Sequence, residues 1–329
     1  MAIPVFILFG QTAVGKTELL SNLFSSNSYH SLLAGCAEVV NADSVQVYKN
    51  TSVCSAMPDE KTLLNLPHHL VNFKEMFEEF SVSDFVNLAD KIIPSIIKKK
   101  SLPVVAGGAG FFITNFIYGL PSTPTSNPKT RALLQERLEK EGIDVLFNEL
   151  KKIDPVTALK LNINDEYRIL RALEVFFDSN MPLSSYNLKG EPRKEYKFLT
   201  ISIERDRKET YERIEKRADE MKPFLQNEFI KLYNYCKEKG VNPSFNEVPL
   251  FKSIGYREFF EINKKEPFNA DINSVINLIK KHTKRYAKRQ ETFSNKIPNL
   301  IRVNTENDHW YEKLHKEIVI FYEDNIINF

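Results

Sequence analysis

The sequence predicts an α/β protein in which a parallel-sheet core is interrupted by an all-helical insertion domain. Apolar runs of strand length alternate with helical segments in the first and last thirds of the chain. Between them, residues 129–187 have only helical periodicity, and a segment rich in proline, serine and threonine precedes them. We therefore predict a first core segment at 1–121, an insertion domain at 122–195 and a second core segment at 196–329.

The composition excludes several classes of protein. The 329 residues are 42% hydrophobic, which is enough for a packed core. The 45 basic and 43 acidic residues nearly cancel, so only a local cluster can indicate a nucleic-acid partner. The three cysteines are far apart and predict neither a disulfide framework nor a zinc site. We find no signal sequence and no apolar run of membrane-spanning length, so we expect a cytoplasmic protein.

The first predicted strand, residues 3–9, leads into a glycine-spaced loop and then a helix. This is the context of a phosphate-binding loop, in which backbone N–H groups point inward and the helix N-terminus adds partial positive charge. The core is thus expected to be similar to that of P-loop NTPases. We expect the whole loop to bind phosphate, namely Gly10, Gln11, Thr12, Ala13, Val14, Gly15, Lys16 and Thr17.

Lys16 and Thr17 carry the specific chemistry of this loop. Lys16 is expected to reach the terminal phosphate oxygens, and the Thr17 hydroxyl to ligate Mg²⁺. A glycine-rich turn that matches by chance is the alternative, and the complete spacing between strand and helix disfavours it. The motif leaves open whether the phosphate belongs to a nucleotide, a phosphoryl donor or a leaving diphosphate.

Two further predicted strands end beside this loop. The strand at 37–41 is followed by Asp43, and the strand at 102–106 by the glycine-rich turn at 107–110. Because parallel strands place their carboxyl ends at one edge of a sheet, both segments are expected near the phosphate site. Asp43 would otherwise be an ordinary turn or cap residue. Residues 51–80 are predicted to be irregular.

The second core segment begins with a strand at 196–203 and is then mostly helical. Helices are predicted at 207–221, 225–238, 249–262 and 273–293. Arg213 and Arg217 lie one turn apart on the first of these helices and can clamp a phosphate or a carboxylate. Pairing with Glu209 and Glu220 on a solvated helix face is an equally common explanation.

The helix predicted at 273–293 has one basic face. At 100° per residue, six cations occupy the half-turn opposite the apolar residues, namely Lys280, Lys281, Lys284, Arg285, Lys288 and Arg289. No acidic residue lies between Asp271 and Glu291 to pair with them. A one-sided basic helix in a nearly neutral protein predicts a polyanion-binding surface, and we favour nucleic acid.

Motifs along the chain jointly resemble one family. They lie at residues 10–17, 41–48, 67–70, 107–110, 164–175, 213–217, 255–257 and 286–290. This order resembles the bacterial tRNA dimethylallyltransferases, which prenylate the adenosine on the 3′ side of certain anticodons. The resemblance covers essentially the whole chain, and it implies a phosphate-loop core with a helical insertion and a tRNA held between them. It also implies dimethylallyl diphosphate as the donor and Mg²⁺ as a cofactor. With no clear oligomerisation signal, we expect a monomer.

The resemblance also implies roles for individual residues. Asp43 would accept a proton from the adenosine amine, while Lys16, Arg213 and Mg²⁺ at Thr17 would stabilise the leaving diphosphate, with Arg217 beside them. The expected tRNA contacts fall into five groups: Asp43, Ser44, Val45 and Gln46; Ala109; Tyr167, Arg168 and Arg171; Lys252, Gly255, Tyr256 and Arg257; and Lys284, Arg285, Lys288, Arg289 and Gln290.

The chain departs from the family pattern at Ala109, where threonine is usual, and in residues 51–58, where the usual lysine is missing. We therefore expect an active enzyme with altered tRNA contacts. Three alternatives remain: a small-molecule P-loop kinase, an adenylate isopentenyltransferase acting on free nucleotide, and an RNA-binding module with an inactive phosphate loop. The kinase leaves the basic helix unexplained, and the intact Lys16, Thr17 and Asp43 argue against the inactive module.

Overall fold

The structure is a computed structural model that describes residues 2–29, 32–186 and 190–327. The chain forms two compact units, one from Met1–Ile117 with Pro192–Phe329 and one from Tyr118–Glu191. The helical unit thus begins and ends four residues earlier than the predicted range of 122–195. Asn187, the expected end of the helical block, lies outside the described residues. Among the residues described, no helix combines the length and apolar character needed to cross a membrane.

The core unit contains a six-stranded parallel sheet with the strand order β3-β2-β4-β1-β5-β6. Its strands are β1 Ile3–Phe9, β2 Ala37–Asn41, β3 His68–His69, β4 Leu102–Gly107, β5 Tyr196–Glu204 and β6 Ile301–Asn304. The predicted α/β class is therefore confirmed. The apolar run of β1 is covered on both faces, as expected for the middle of a parallel sheet.

The strand register brings the functional segments together. Phe9 at the end of β1 lies opposite Gly107 of β4 and Ser202 of β5. Asn41 at the end of β2 lies opposite Ala106 of β4. The segments that follow these four strands consequently meet at one edge of the sheet, where parallel α/β proteins bind their ligands.

The described residues form thirteen α-helices: α1 Lys16–Phe24, α2 Ser52–Ser55, α3 Glu60–Asn65, α4 Val82–Lys98, α5 Gly110–Tyr118, α6 Pro128–Glu141, α7 Ile143–Ile153, α8 Pro155–Ala158, α9 Glu166–Ser179, α10 Arg207–Glu238, α11 Arg257–Ile262, α12 Ile272–Ser294 and α13 Trp310–Tyr322. One face of the sheet packs against α1 and α13, whose Leu23 and Ile318 belong to the same buried cluster as Phe6. On the other face, Phe116 of α5 contacts Phe198 of β5, with ring centroids 5.9 Å apart.

One helix, α10, replaces the two that the sequence predicts at 207–221 and 225–238. Pro223 lies inside it and removes one backbone hydrogen bond, a loss that ordinarily costs about 3 kcal/mol. Buried residues continue along one stripe on both sides of this proline: Ile214, Ala218, Leu225, Phe229, Leu232 and Cys236. Packing of that stripe keeps the helix continuous, because most helical stability in proteins comes from tertiary burial.

Two other predictions of local structure were wrong. The predicted helix at 249–262 is a 3₁₀ turn, Pro249–Lys252, followed by α11, because Gly255 between them has a φ of 107°. Residues 51–80 are not wholly irregular, since they contain α2, α3 and β3. In this segment Asp59 caps α3 by accepting a hydrogen bond from the N–H of Thr62.

The helical unit has a small core of its own. Its buried residues come from α6, α7, α8 and α9, namely Leu134, Leu146, Phe147, Leu150, Ala158, Ile169, Leu170, Ala172 and Leu173. Glu174 of α9 is fully buried and accepts hydrogen bonds from Ser126 Oγ and the N–H of Asn127. This carboxylate therefore fixes the start of α6 against α9.

Candidate active site

The phosphate loop lines a cavity of about 540 Å³ at the carboxyl edge of the sheet. Ala13 and Gly15 take left-handed φ angles of 64° and 103°, which curl the loop around this space. Thr17, at the start of α1, also lines the cavity. Loop, cavity and helix N-terminus therefore have the arrangement expected of an anion site.

The ammonium group of Lys16 is hydrogen-bonded to the first residues of its own loop. Its Nζ donates hydrogen bonds to the carbonyl oxygens of Gly10, at 2.9 Å, and Gln11, at 2.8 Å. Burial lowers the pKa of Lys16 to about 8; the negative charge of Asp43 opposes this shift, and the positive charge of Arg217 adds to it. An anion in the cavity would offset the cost of burying this ammonium group, so the loop favours a phosphate ligand.

The two arginines of α10 lie at the same cavity. Arg213 Nε donates a hydrogen bond to the carbonyl oxygen of Ala13 at 2.8 Å, and Arg217 also lines the cavity. Burial lowers the pKa of Arg217. Glu209, the acid considered as a partner in the solvated-face explanation, is paired with Arg205 instead. The clamp is therefore the better account of Arg213 and Arg217.

Sequence reasoning missed two other cations beside the loop. Lys216 lines the cavity, and Arg205 Nη2 lies 4.0 Å from where a Cβ on Gly15 would be. Arg205 follows the last residue of β5 directly. Its place at the carboxyl end of a parallel strand is the signal that could have identified it.

Asp43 is both a turn residue and a site residue. Its Oδ1 accepts hydrogen bonds from the N–H groups of Val45 at 2.8 Å and Gln46 at 3.2 Å. Within the described parts of the chain, no group donates a hydrogen bond to Oδ2. One carboxylate oxygen thus builds the turn while the other is available for a ligand.

A second cavity, of about 430 Å³, adjoins the first. The two cavities share Thr12, Ala13, Asp43, Ser55, Arg217 and Tyr286. The second is also lined by Lys252, Arg257 and Arg289. Asp43 therefore lies between a phosphate cavity and a neighbouring cavity with basic residues in its wall.

Gln290, which we expected to contact tRNA, has another role. It is only 4% exposed. Its Oε1 accepts a hydrogen bond from the N–H of Thr12 at 2.9 Å, and its Nε2 donates one to the carbonyl oxygen of Gly108 at 2.8 Å. Gln290 therefore joins the phosphate loop to the second glycine turn. It also lines the first cavity, and its contact with tRNA stays a prediction.

Other expected tRNA contacts are also engaged within the protein. Tyr256 is fully buried and donates a hydrogen bond from its hydroxyl to Glu228 at 2.8 Å. The side-chain amide of Gln46 donates to the carbonyl oxygens of Ser55 and Ala56, each at 3.1 Å. The hydrogen bond and burial of Tyr256 assign it to the core. Gly255 is also closely packed, because a Cβ on it would overlap the sulfur of Cys54. Gln46 has its amide N–H donors occupied, while Ser44 is exposed and Val45 lines the second cavity.

The basic face of α12 is partly neutralised by α10. Lys280 pairs with Asp219 at 2.7 Å, and Lys284 pairs with Glu215. The sequence of α12 contains no acid at these positions, but acids of a neighbouring helix pair with part of this face. Four cations remain exposed on it: Lys281, Arg285, Lys288 and Arg289.

In the helical unit the predicted tRNA residues divide in the same way. Tyr167 is 66% exposed, and Arg168 is exposed and pairs with Asp165. Arg171 instead pairs with the buried Glu174 and donates a hydrogen bond to a backbone carbonyl, so it belongs to the framework of the unit. The guanidinium of Arg131, which sequence reasoning missed, lies 4.8 Å from the centre of the Tyr167 ring.

In the second glycine turn, residues 107–110, neighbouring residues occupy the space where side chains would lie. A Cβ on Gly107 would lie 2.0 Å from the carbonyl oxygen of Ala42, and one on Gly108 would lie 2.1 Å from Gln290 Nε2. Ala109, which is partly exposed, donates its N–H to the same carbonyl of Ala42 at 3.2 Å. The absence of side chains here allows close packing.

These features define a class of protein, an α/β phosphate-loop protein that presents a carboxylate between an anion site and a second cavity. The model of the IPP transferase family matches residues 46–297, and the chain belongs to this family. The resemblance found in the sequence is thus confirmed.

Named relatives agree with this assignment. The tRNA dimethylallyltransferase of Borrelia hermsii is 36% identical over 304 residues, which cover 92% of this chain and 95% of that protein. The tRNA dimethylallyltransferase of Acetivibrio thermocellus is 33% identical over 318 residues, covering 95% and 96%. The crystal structure of a tRNA isopentenylpyrophosphate transferase from Bacillus halodurans matches with a TM-score of 0.64 and 27% identity over 98% of both chains.

Proposed function

We propose that this protein transfers a dimethylallyl group from dimethylallyl diphosphate to the N6 amine of the adenosine 3′ of the anticodon in certain tRNAs, releasing diphosphate. The observation that carries the proposal is the position of Asp43 between a phosphate cavity and a second cavity with basic walls. The names of the bacterial relatives support the same reaction.

The phosphate loop would act as an anion site for a leaving group. Cleavage of the allylic C–O bond places negative charge on the diphosphate, and no phosphoryl group is transferred. The loop N–H groups, Lys16 and Arg213 would stabilise that charge, with Arg217 at the wall of the same cavity. We also propose Mg²⁺ as a cofactor. The Thr17 hydroxyl, which lines the same cavity, would hold it, and the ion would supply positive charge beside the leaving diphosphate.

Asp43 would act on the acceptor. The adenine amine is a weak nucleophile because its lone pair is delocalised into the ring. A carboxylate oxygen that accepts its proton as the N–C bond forms removes this obstacle, and Asp43 Oδ2 is suited to this role. An adenosine in an anticodon loop leaves its stack at modest cost, which allows it to enter a cavity.

An acceptor assay tests the reaction. The protein, labelled dimethylallyl diphosphate and Mg²⁺ would be incubated with unmodified tRNA, with AMP or with neither. We expect label in tRNA alone. Label in AMP alone would support an adenylate isopentenyltransferase, and ATP turnover without prenyl transfer would support a kinase.

Asp43→Asn isolates the role of the carboxylate. The asparagine oxygen can still accept the hydrogen bonds that build the turn, whereas its amide is no base. We expect the rate of transfer to fall about 100-fold or more, with diphosphate binding retained. Transfer at the wild-type rate would remove Asp43 from its proposed role.

We propose that Arg285, Lys288 and Arg289 bind tRNA phosphates, because they are the exposed cations among the tRNA contacts predicted on α12. Changing all three to Ala should weaken tRNA binding and reduce its log–log salt slope by about 0.7–0.9 for each phosphate that is no longer neutralised. Lys280→Ala is the matched control, since Lys280 is already paired with Asp219. Equal slopes for both variants would contradict the assignment.

We further propose that the enzyme acts in the cytoplasm as a monomer. Light scattering on the purified protein should then give the mass of one chain, 38.1 kDa. A mass twice as large would contradict the monomer.

A further inference from the structure

The short helix α2 forms part of the wall of both cavities. Ser55 lines both, while Cys54 lines the second. A single turn of helix is not stable by itself, and its first N–H groups need acceptors. Thr51 is at the N-cap position, but its hydroxyl donates to the carbonyl oxygen of Tyr48 at 2.9 Å and caps nothing.

Glu228 of α10 supplies the missing cap. This carboxylate is only 8% exposed. Its Oε2 accepts a hydrogen bond from the N–H of Val53 at 2.8 Å, and its Oε1 accepts one from the N–H of Cys54 at 3.1 Å. Hydrogen bonds to an ionised acceptor are stronger than neutral ones, and negative charge is favoured at a helix N-terminus.

The other end of α2 holds the active-site turn. The carbonyl oxygens of Ser55 and Ala56 accept the two hydrogen bonds from the Gln46 amide. The N–H of Gln46 donates to Asp43 Oδ1. A continuous series of hydrogen bonds thus runs from Glu228 through α2 to Asp43.

The same carboxylate also fixes a wall of the second cavity. Tyr256 donates its hydroxyl hydrogen bond to Glu228 Oε1. Cys54 Sγ donates to the carbonyl oxygen of Ile254 at 3.2 Å, and a Cβ on Gly255 would lie only 1.8 Å from that sulfur. Glu228 therefore joins α10, α2 and the segment at 253–257.

We propose that Glu228 is a positioning residue for prenyl transfer. It lines neither cavity, and it acts by holding α2, through which it fixes Gln46 and the Asp43 turn. The catalytic part of this inference rests on the proposed function, whereas the linkage from Glu228 to α2 does not.

Glu228→Gln tests the role because it preserves shape but leaves only one strong acceptor atom. We expect kcat with tRNA to fall about tenfold, since small displacements of catalytic groups are costly. The KM for dimethylallyl diphosphate should change by less than about twofold. Lys16 and the phosphate loop are outside this series of hydrogen bonds, and α2 contacts the anion site through one long hydrogen bond, from Arg217 to the Cys54 carbonyl oxygen at 3.5 Å. Amide hydrogen exchange at Val53 and Cys54 should become about tenfold faster, while exchange in the phosphate loop stays unchanged.

Glu38→Gln is the matched control. Glu38 of β2 is 6% exposed and lines neither cavity. Its carboxylate pairs with Lys99 and with His69. Its kcat should stay within about twofold of wild type. If Glu228→Gln does not fold, Tyr256→Phe removes one donor and should shift exchange at Val53 and Cys54 in the same direction, to a smaller extent.

The outcomes of these experiments distinguish the role of Glu228 in holding α2 from the proposed prenyl-transfer reaction. Unchanged exchange at Val53 and Cys54 in Glu228→Gln would overturn the positioning role, whatever the reaction. Faster exchange with a wild-type kcat would show that Glu228 holds α2 but would contradict the proposal that this contact supports catalysis. Absence of prenyl transfer to tRNA by the wild-type protein would instead contradict the proposed function, and the exchange result would still decide whether Glu228 holds α2.

Discussion

Two glycine-rich turns follow neighbouring strands of the same sheet, and Gly15 in the first has a different purpose from Gly107 and Gly108 in the second. In the phosphate loop after β1, a Cβ on Gly15 would meet no atom closer than 3.8 Å, and its φ of 103° curls the backbone around a cavity. In the turn after β4, the space beside Gly107 and Gly108 is taken by Ala42 and Gln290. The spacing of glycines alone therefore does not distinguish a ligand cradle from a packing joint.

The side chains and the φ angles of the two turns distinguish the phosphate loop from the second glycine turn. The first turn carries Lys16 and Thr17 and has two residues with left-handed φ, whereas Gly107–Gly110 carries no side chain with a charge or a hydroxyl. Substitutions of Lys16 and Thr17 should consequently act mainly on catalysis. Gly107 and Gly108 also line the phosphate cavity, but their crowded surroundings should make substitutions there act mainly on stability.

The largest effect is expected for Lys16→Ala. Loss of a positive charge that stabilises the leaving diphosphate should lower kcat about 100- to 1000-fold. The free energy of unfolding should not fall, because the variant no longer buries an ammonium group. Steady-state kinetics and urea unfolding measure the two quantities, and a loss of activity below about tenfold would contradict the anion site.

Gly107→Ala should show the opposite behaviour. The new Cβ would overlap the carbonyl oxygen of Ala42, and backbone cannot move aside as a flexible side chain can. We expect the free energy of unfolding to fall by about 2 kcal/mol. Gly190→Ala is the control, since among the described residues the nearest atom to its Cβ would be 3.6 Å away. Equal stability of the two variants would refute the packing role.

The pH dependence of donor binding sharpens the comparison further. The pKa of Lys16 is about 8, so the ammonium loses its proton as the pH rises through 8. The protonated form binds the anion, and diphosphate affinity should thus weaken about tenfold between pH 7 and pH 9. Calorimetry at several pH values measures this. Lys16→Arg should bind with little pH dependence, and the same decline in that variant would assign the titration to another group.

The smallest effect is expected for Gln290→Leu, which separates the two turns. Thr12 and Gly108 would each lose a hydrogen-bond partner, at a cost of about 1 kcal/mol or more. The KM for dimethylallyl diphosphate should rise about fivefold, with the KM for tRNA unchanged. A rise in the KM for tRNA alone would instead support the contact between Gln290 and tRNA that the sequence predicts.

What the sequence predicts well is local. The phosphate loop is eight consecutive residues between a strand and a helix, and all of its chemistry is contiguous. The partners that hold the site together are distant, because Gln290 lies 278 residues from Thr12 and Glu228 lies 175 from Val53. No periodicity or motif signals such pairs.

The errors have the same origin. Local propensity breaks a helix at Pro223, but burial on both sides of it keeps α10 continuous. The acids that neutralise Lys280 and Lys284 lie on another helix, so inspection of α12 alone overstated its free charge. Tertiary contacts decide both cases.

The continuity of α10 restricts how this gene can change length. Arg217 and Glu228 lie on one uninterrupted helix, about 16 Å apart along its axis at 1.5 Å per residue. Arg217 donates a hydrogen bond to the Cys54 carbonyl oxygen of α2 at 3.5 Å, and Glu228 accepts two from the same helix. Inserting or deleting one codon between them would turn one end by about 100° relative to the other, so that both could no longer face α2. Substitutions on the solvent side of this stretch are compatible with the site, whereas single-codon insertions and deletions are not.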